Sequence, residues 1–131
     1  MPDEKQLEQL RKDFRKASTI YLKKMFEKES NGISFKFNRL SMNKIGCIKS
    51  VQESIKNGFE PEDHFQAARN IKQLFEESKV IEEHYKSKPD RFERPCLCVC
   101  KIFEDVYAWM NVVTWGKEEG YIGFYLSREA E

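Results

Sequence analysis

No stretch of this chain approaches the roughly 20 consecutive apolar residues that a helix needs to cross a bilayer, so no membrane contact is expected. Glycine and proline are scarce, six and four among 131 residues, and repeats and low-complexity tracts are absent, as expected of a compact soluble protein. An excess of charge of one sign is missing too: 23 Lys and Arg stand against 22 Asp and Glu, a net charge of +1. General polyanion binding needs a surplus of cations, so only a local basic patch could serve it. No P-loop, GxGxxG, HExxH or GxSxG occurs, which removes support for nucleotide-driven, dinucleotide, zinc-protease and serine-hydrolase chemistry; no cofactor is expected. The opening residues MPDEKQLEQL lack the basic-then-apolar pattern of a secretory signal. A cytoplasmic location is therefore expected, with Cys47, Cys96, Cys98 and Cys100 as reduced thiols.

What the chain does have is aromatic mass. Ten Phe, five Tyr and two Trp predict a core built from a few large side chains, and the length suits one domain. Residues 3 to 29 read as one long helix, because Leu7, Leu10, Phe14, Ala17, Tyr21 and Met25 recur at steps of three and four. Asn31-Gly32 is its expected stop. The opposite face, dense in Lys, Arg and Glu, reads as solvated. Residues 33 to 38 alternate as a short strand. A second helix is expected over 42 to 56, with Gly46 as its weak point, and a third over 61 to 78, opened by Pro61, Glu62 and Asp63. Val80-Ile81 then begins an extended segment, and a polar loop fills 85 to 95.

Three alternating runs follow, 96 to 103, 106 to 115 and 121 to 126, joined by turns too short for anything but antiparallel pairing. The expected fold class is α+β: a long N-terminal helix plus two further helices packed on a small antiparallel sheet with a C-terminal three-stranded meander.

Cys96, Cys98 and Cys100 suggest a metal cluster at first sight. Alternate residues of a strand, however, sit about 6.6–6.8 Å apart along one face. Zinc with bonds of about 2.3 Å to sulfur needs its ligands to converge more closely. The cysteines therefore read as core residues, and no metal is expected. Of the two histidines, His64 lies in a helix first turn and reads as exposed. His84 opens a loop holding Lys86, Lys88, Arg91 and Arg94, and a base beside cations is the arrangement phosphodiester cleavage uses. Tyr107, Trp109, Asn111, Val113 and Trp115 share one strand face; exposed, they could stack bases, and buried under helices they are core. The helices need one sheet face to cover, so at least one face is expected to be core.

Three stretches point to a known family: Ala67-Ala-Arg-Asn-Ile-Lys-Gln-Leu-Phe75, Val80-Ile-Glu-Glu-His84, and the hairpin-linked strands carrying Val106-Tyr-Ala-Trp109 and Val112-Val-Thr-Trp115. In their order, residues 33 to 126 resemble the barnase–EndoU–colicin–RelE-like nuclease domains of phage and large polyvalent mobile-element proteins. The resemblance implies metal-independent RNA cleavage, or a descendant that retains the fold as a binding module. By position it makes His84 the acid/base residue, Thr114 a hydroxyl on the active strand, and Lys44, Arg91 and Arg94 the cations. Residues 1 to 30 lie outside it. Pro95 and the cysteine-rich strand depart from the family's pattern. RNA is the partner this reading expects. The contrasting reading is a non-catalytic inhibitor or regulator of phage type, engaging a protein partner through the N-terminal helix.

Overall fold

The computed structural model describes residues 3–28, 31–83, 86–87, 92–116 and 118–128. Helix α1 spans Glu4–Ser18, opened by the Asp3 carboxylate accepting the Lys5 amide at 3.1 Å and closed by Arg15 and Lys16 against its negative end. A short 3-10 turn, Thr19–Tyr21, follows. The helix expected to continue to residue 29 does not: Met25–Lys28 is strand β1, paired antiparallel with β2, Ile33–Lys36. Lys23 takes a positive φ of 66°, which no helix continues through, and Asn31-Gly32 belongs to the hairpin turn rather than to a helix end. The gain that decides the issue is aromatic. As a strand, Phe26 meets Phe35, Phe37 and Phe75 at centroid distances of 5.4, 4.9 and 6.2 Å.

Each of the two later predicted helices is divided. The first becomes α2, Arg39–Gly46, and α3, Ile48–Lys56, separated by Cys47 in an extended conformation. The Gly46 carbonyl left at this break accepts the Arg11 Nε–H at 2.6 Å. The second becomes α4, Pro61–Ala68, and α5, Ile71–Glu77, where the Arg69 carbonyl accepts the Tyr21 hydroxyl at 2.8 Å. At the end of α5 the Lys28 ammonium donates to the carbonyls of Phe75 and Glu76, both at 3.3 Å, and to Ser78. A buried cation thus satisfies carbonyls that a helix end leaves unpaired.

The main sheet has the order β3, β5, β6, β7, all antiparallel: Lys79–Glu83, Phe92–Phe103, Val106–Trp115 and Glu119–Ser127. The three-stranded meander stands as expected. Its first strand begins earlier, at Phe92, where the two-residue β4, Lys86–Ser87, pairs with it; this segment was expected to be loop. Helices α2 and α3 pack on β7, α5 on β1 and β5, and α1 on α4. One face of the sheet enters the core: Cys96, Cys98 and Cys100 on β5, Ala108, Met110 and Val112 on β6, and Ile122, Phe124 and Leu126 on β7. Among the described residues no helix is long and apolar enough to cross a membrane.

The outer margin of β7 is occupied by helix side chains. Ser41 accepts the Ile122 amide at 3.1 Å and Ser54 accepts the Leu126 amide at 2.9 Å. Asn38 and Asn57 donate to the carbonyls of Gly120 and Leu126 at 2.8 and 2.9 Å.

Candidate functional site on the outer sheet face

Strand alternation sends the Tyr and Trp residues of β6 and β7 to the face opposite the helices, while Phe124 enters the core. Tyr107, Trp109, Asn111, Val113 and Trp115 on β6 lie beside Tyr125 and Tyr121 on β7 and Lys101, Val99, Leu97 and Pro95 on β5. Trp109 and Tyr125, register partners, stack at 6.2 Å with an interplanar angle of 5°. Trp115 and Tyr121 meet edge to face at 6.1 Å, and the Trp115 indole N–H donates to Glu119 at 2.7 Å. Burial, with Glu53 adding to it, raises the Tyr125 phenol above its ordinary pKa and keeps it neutral. Trp109 is 7% exposed yet stands outside the hydrophobic cluster that the helices share.

Cations border this face. The Lys44 ammonium lies 5.1 Å from the centre of the Tyr121 ring, reaching over the β7 margin from the last turn of α2. Lys101, partner of Tyr107, and Lys79, partner of Val99, are exposed; Glu82, partner of Leu97, joins Glu119 and Glu53 as the acids beside them. Such a surface can stack planar rings and neutralise an anionic backbone beside them.

Of the five residues expected to act together, three are among the described residues, and these divide between two faces of the sheet. Arg94 and Thr114 are register partners on the core-facing side. Thr114 is 8% exposed, and the tight approach of Gly120 leaves no room for a β-carbon, which would stand 3.1 Å from the Thr114 methyl. Arg94 binds the Glu83 carboxylate and donates to the Asn31 carbonyl at 2.7 Å and the Gly32 carbonyl at 3.3 Å, tying β5 to β3 and to the β1–β2 turn. Lys44 sits instead with the alternate face, on Tyr121. His84 and Arg91 lie outside the described residues.

His64, expected to be exposed, is wholly buried. Its Nε2 is 2.8 Å from the Ile45 carbonyl, which can only accept, so Nε2 carries the proton. Its Nδ1, 2.7 Å from Ser54 Oγ, then accepts the serine hydroxyl, while the same oxygen accepts the Leu126 amide. Burial lowers the imidazole pKa to about 4. The pair resembles a catalytic Ser–His couple in spacing alone; both groups are enclosed and committed to joining α2, α3, α4 and β7. The three strand cysteines pack in the core, and burial pushes the Cys96 thiol up to about 11, which makes it a poor nucleophile.

The reading by residues alone named the β6 aromatics but missed Tyr121 and Tyr125. Their signal was the alternation of residues 121 to 126, which becomes informative once the register places them beside Trp115 and Trp109. No curated protein and no solved structure matches the chain. A family match does exist, and it runs from α1 through most of β6, thus including the N-terminal helix that the nuclease resemblance left out. Matching over residues 5–112, the chain belongs to the family described as large polyvalent protein-associated domain 3.

Proposed function

We propose that this polyvalent-protein domain is a phage-type, RNase-like module that holds single-stranded RNA across the outer face of its sheet. The observation that carries the reading is the half-buried pair of Trp115 and Tyr121, with Lys44 seated on Tyr121 and with Tyr125 on the same strand face, backed by the buried Trp109. Bases stack on aromatic rings without regard to sequence, at about 1–3 kcal/mol per base, and the bordering lysines meet phosphate. A chain of net charge +1 can bind RNA this way because the cations are local.

Cleavage, in this proposal, belongs to His84. The ribose 2′-hydroxyl attacks the adjacent phosphorus, the 5′-oxygen leaves, and His84 carries the proton from the one oxygen to the other while Arg91 stabilises the charge on the phosphorane; Lys44, at the opposite edge of the sheet, holds a neighbouring phosphate. Arg94 and Thr114 then support the sheet rather than meet the phosphate. The reading also places the domain in a reducing cytoplasm. Titration of a single-stranded RNA oligonucleotide, followed by tryptophan fluorescence, should show quenching. Replacing Trp115 by Ala should weaken binding by about tenfold, and raising salt should weaken it further. An oligonucleotide that leaves the fluorescence unchanged would sink the RNA reading. Cleavage in EDTA by the wild-type chain, lost in His84→Ala, would make the module an enzyme; binding without cleavage would make it the descendant.

A second reading, a non-catalytic protein-binding regulator, has its own observation: Ile20 is 62% exposed just after α1 and Ile48 is 57% exposed at the start of α3. Deleting residues 1–30 would not test it cleanly, because Phe14 and Phe26 belong to the core. Serine at Ile20 and Ile48 leaves the core intact, and a partner indifferent to both changes does not bind there.

A further inference from the structure

We propose that the cleft between α4 and the β5–β6 turn is a docking site for a basic peptide segment with a bulky apolar anchor. This cleft lies at the end of the sheet away from Lys44 and Tyr121, and it has a volume of about 550 Å³. That falls within the roughly 300–1,000 Å³ of sites that enclose a compact ligand, enough for one or two large side chains. Its floor is apolar and buried, made by Phe59, Val106 and Leu126. At its rim stands Phe103, 60% exposed, where burial in the core would be the ordinary fate of such a ring. The turn that presents it is tight: Glu104, the next residue, takes a positive φ of 42°.

Charge selects the occupant. The lining residues supply three carboxylates, Asp63, Glu104 and Asp105, against the single guanidinium of Arg128. Arg128 is itself paired with Asp105 at 3.1 Å and lies 4.8 Å from the centre of the Phe59 ring. A cation on an aromatic ring beside a carboxylate is thus already built once in this cleft, and Phe103 beside Glu104 offers the same chemistry to an incoming Lys or Arg. The acidic rim repels a phosphate backbone, so nucleic acid held on the sheet face does not extend here. An apolar side chain fills the floor, and the amides of Gln66 and Asn70 can meet the peptide backbone.

Fluorescence anisotropy of a short synthetic peptide, one Trp and one Leu flanked by lysines, tests the proposal on the full chain. A matched peptide with glutamates in place of the lysines, and another with Ser in place of Trp and Leu, serve as comparisons. The basic, anchored peptide should bind, and each comparison peptide should bind at least about tenfold more weakly. Phe103→Ser and Glu104→Lys should each weaken the basic peptide several-fold while leaving the circular dichroism spectrum and the RNA titration unchanged. Equal affinity for the charge-reversed peptide, or undiminished binding by both variants, would overturn the assignment. So would a dimer of the chain that Phe103→Ser dissolves, since the occupant would then be a second copy.

Discussion

At the scale of single residues, the enclosed imidazole has the clearest measurable consequence. His64 is held neutral by burial, with its pKa lowered to about 4 from an ordinary value of 6.5. Between those values the unfolded chain binds more protons than the folded one, so stability rises with pH. The contribution is fully present above the unfolded value and is lost as pH falls through the interval toward 4. Its size is about 3 kcal/mol, since each tenfold change in proton affinity is worth about 1.4 kcal/mol. Urea unfolding at pH 7.5 and pH 4.5 should therefore show a larger loss for the wild-type chain than for His64→Gln; equal losses would mean that His64 does not titrate with unfolding. A histidine in a helix first turn gives no sign of this from the sequence. The chain must fold before Ile45 and Ser54, nineteen and ten residues away, converge on its two nitrogens. Arg94 is similar: a basic residue in a basic loop reads as a phosphate ligand until Glu83, Asn31 and Gly32 are seen around it.

At the scale of elements, the meander was legible because three alternating runs with short turns admit one arrangement. Segment 19–28 was not, because steps of four between Tyr21 and Met25 suit a helix as well as a loop entering a strand. What separates the two is the Phe26–Phe35–Phe37–Phe75 cluster and the seat for Lys28 at the end of α5, both long-range. The break at Gly46 was foreshadowed as a weak point, whereas the one at Arg69–Asn70 was hidden inside a continuous apolar period. The helices do more than cover β7, since their side chains bond its backbone. Ser41→Ala removes the acceptor of the Ile122 amide in a wholly buried site, and should cost about 1–3 kcal/mol. Hydrogen exchange at Ile122 should quicken more than at neighbouring amides of β7; uniform behaviour along the strand would show that the serine bond does not protect it.

For the whole molecule, the family match and the physical unit have different ends. The match stops at residue 112, within β6, but Ile122, Phe124 and Leu126 of β7 lie in the same hydrophobic cluster as Phe14 of α1. A chain cut after Val112 loses β7 and the backbone groups that Ser41, Ser54, Asn38 and Asn57 bond. It should fail to fold, with no cooperative transition in thermal or urea unfolding, while the full chain unfolds in one step. A cooperative transition in the fragment would place the stabilising core among the helices and the β1–β2 hairpin alone. The fold class was readable from periodicity. The outer-face site was only half readable, since alternation shows which residues share a face but not which face the helices take.

The side-chain bonds along β7 also guard that edge of the sheet. Strand-by-strand association needs a row of backbone donors and acceptors, and at β7 four of these groups are already engaged within the chain. A strand from another chain could pair along β7 only by displacing these side-chain bonds. The helices thus protect this edge as well as cover the sheet: the same serines and asparagines that fix α2 and α3 in place deny β7 to edge-to-edge aggregation.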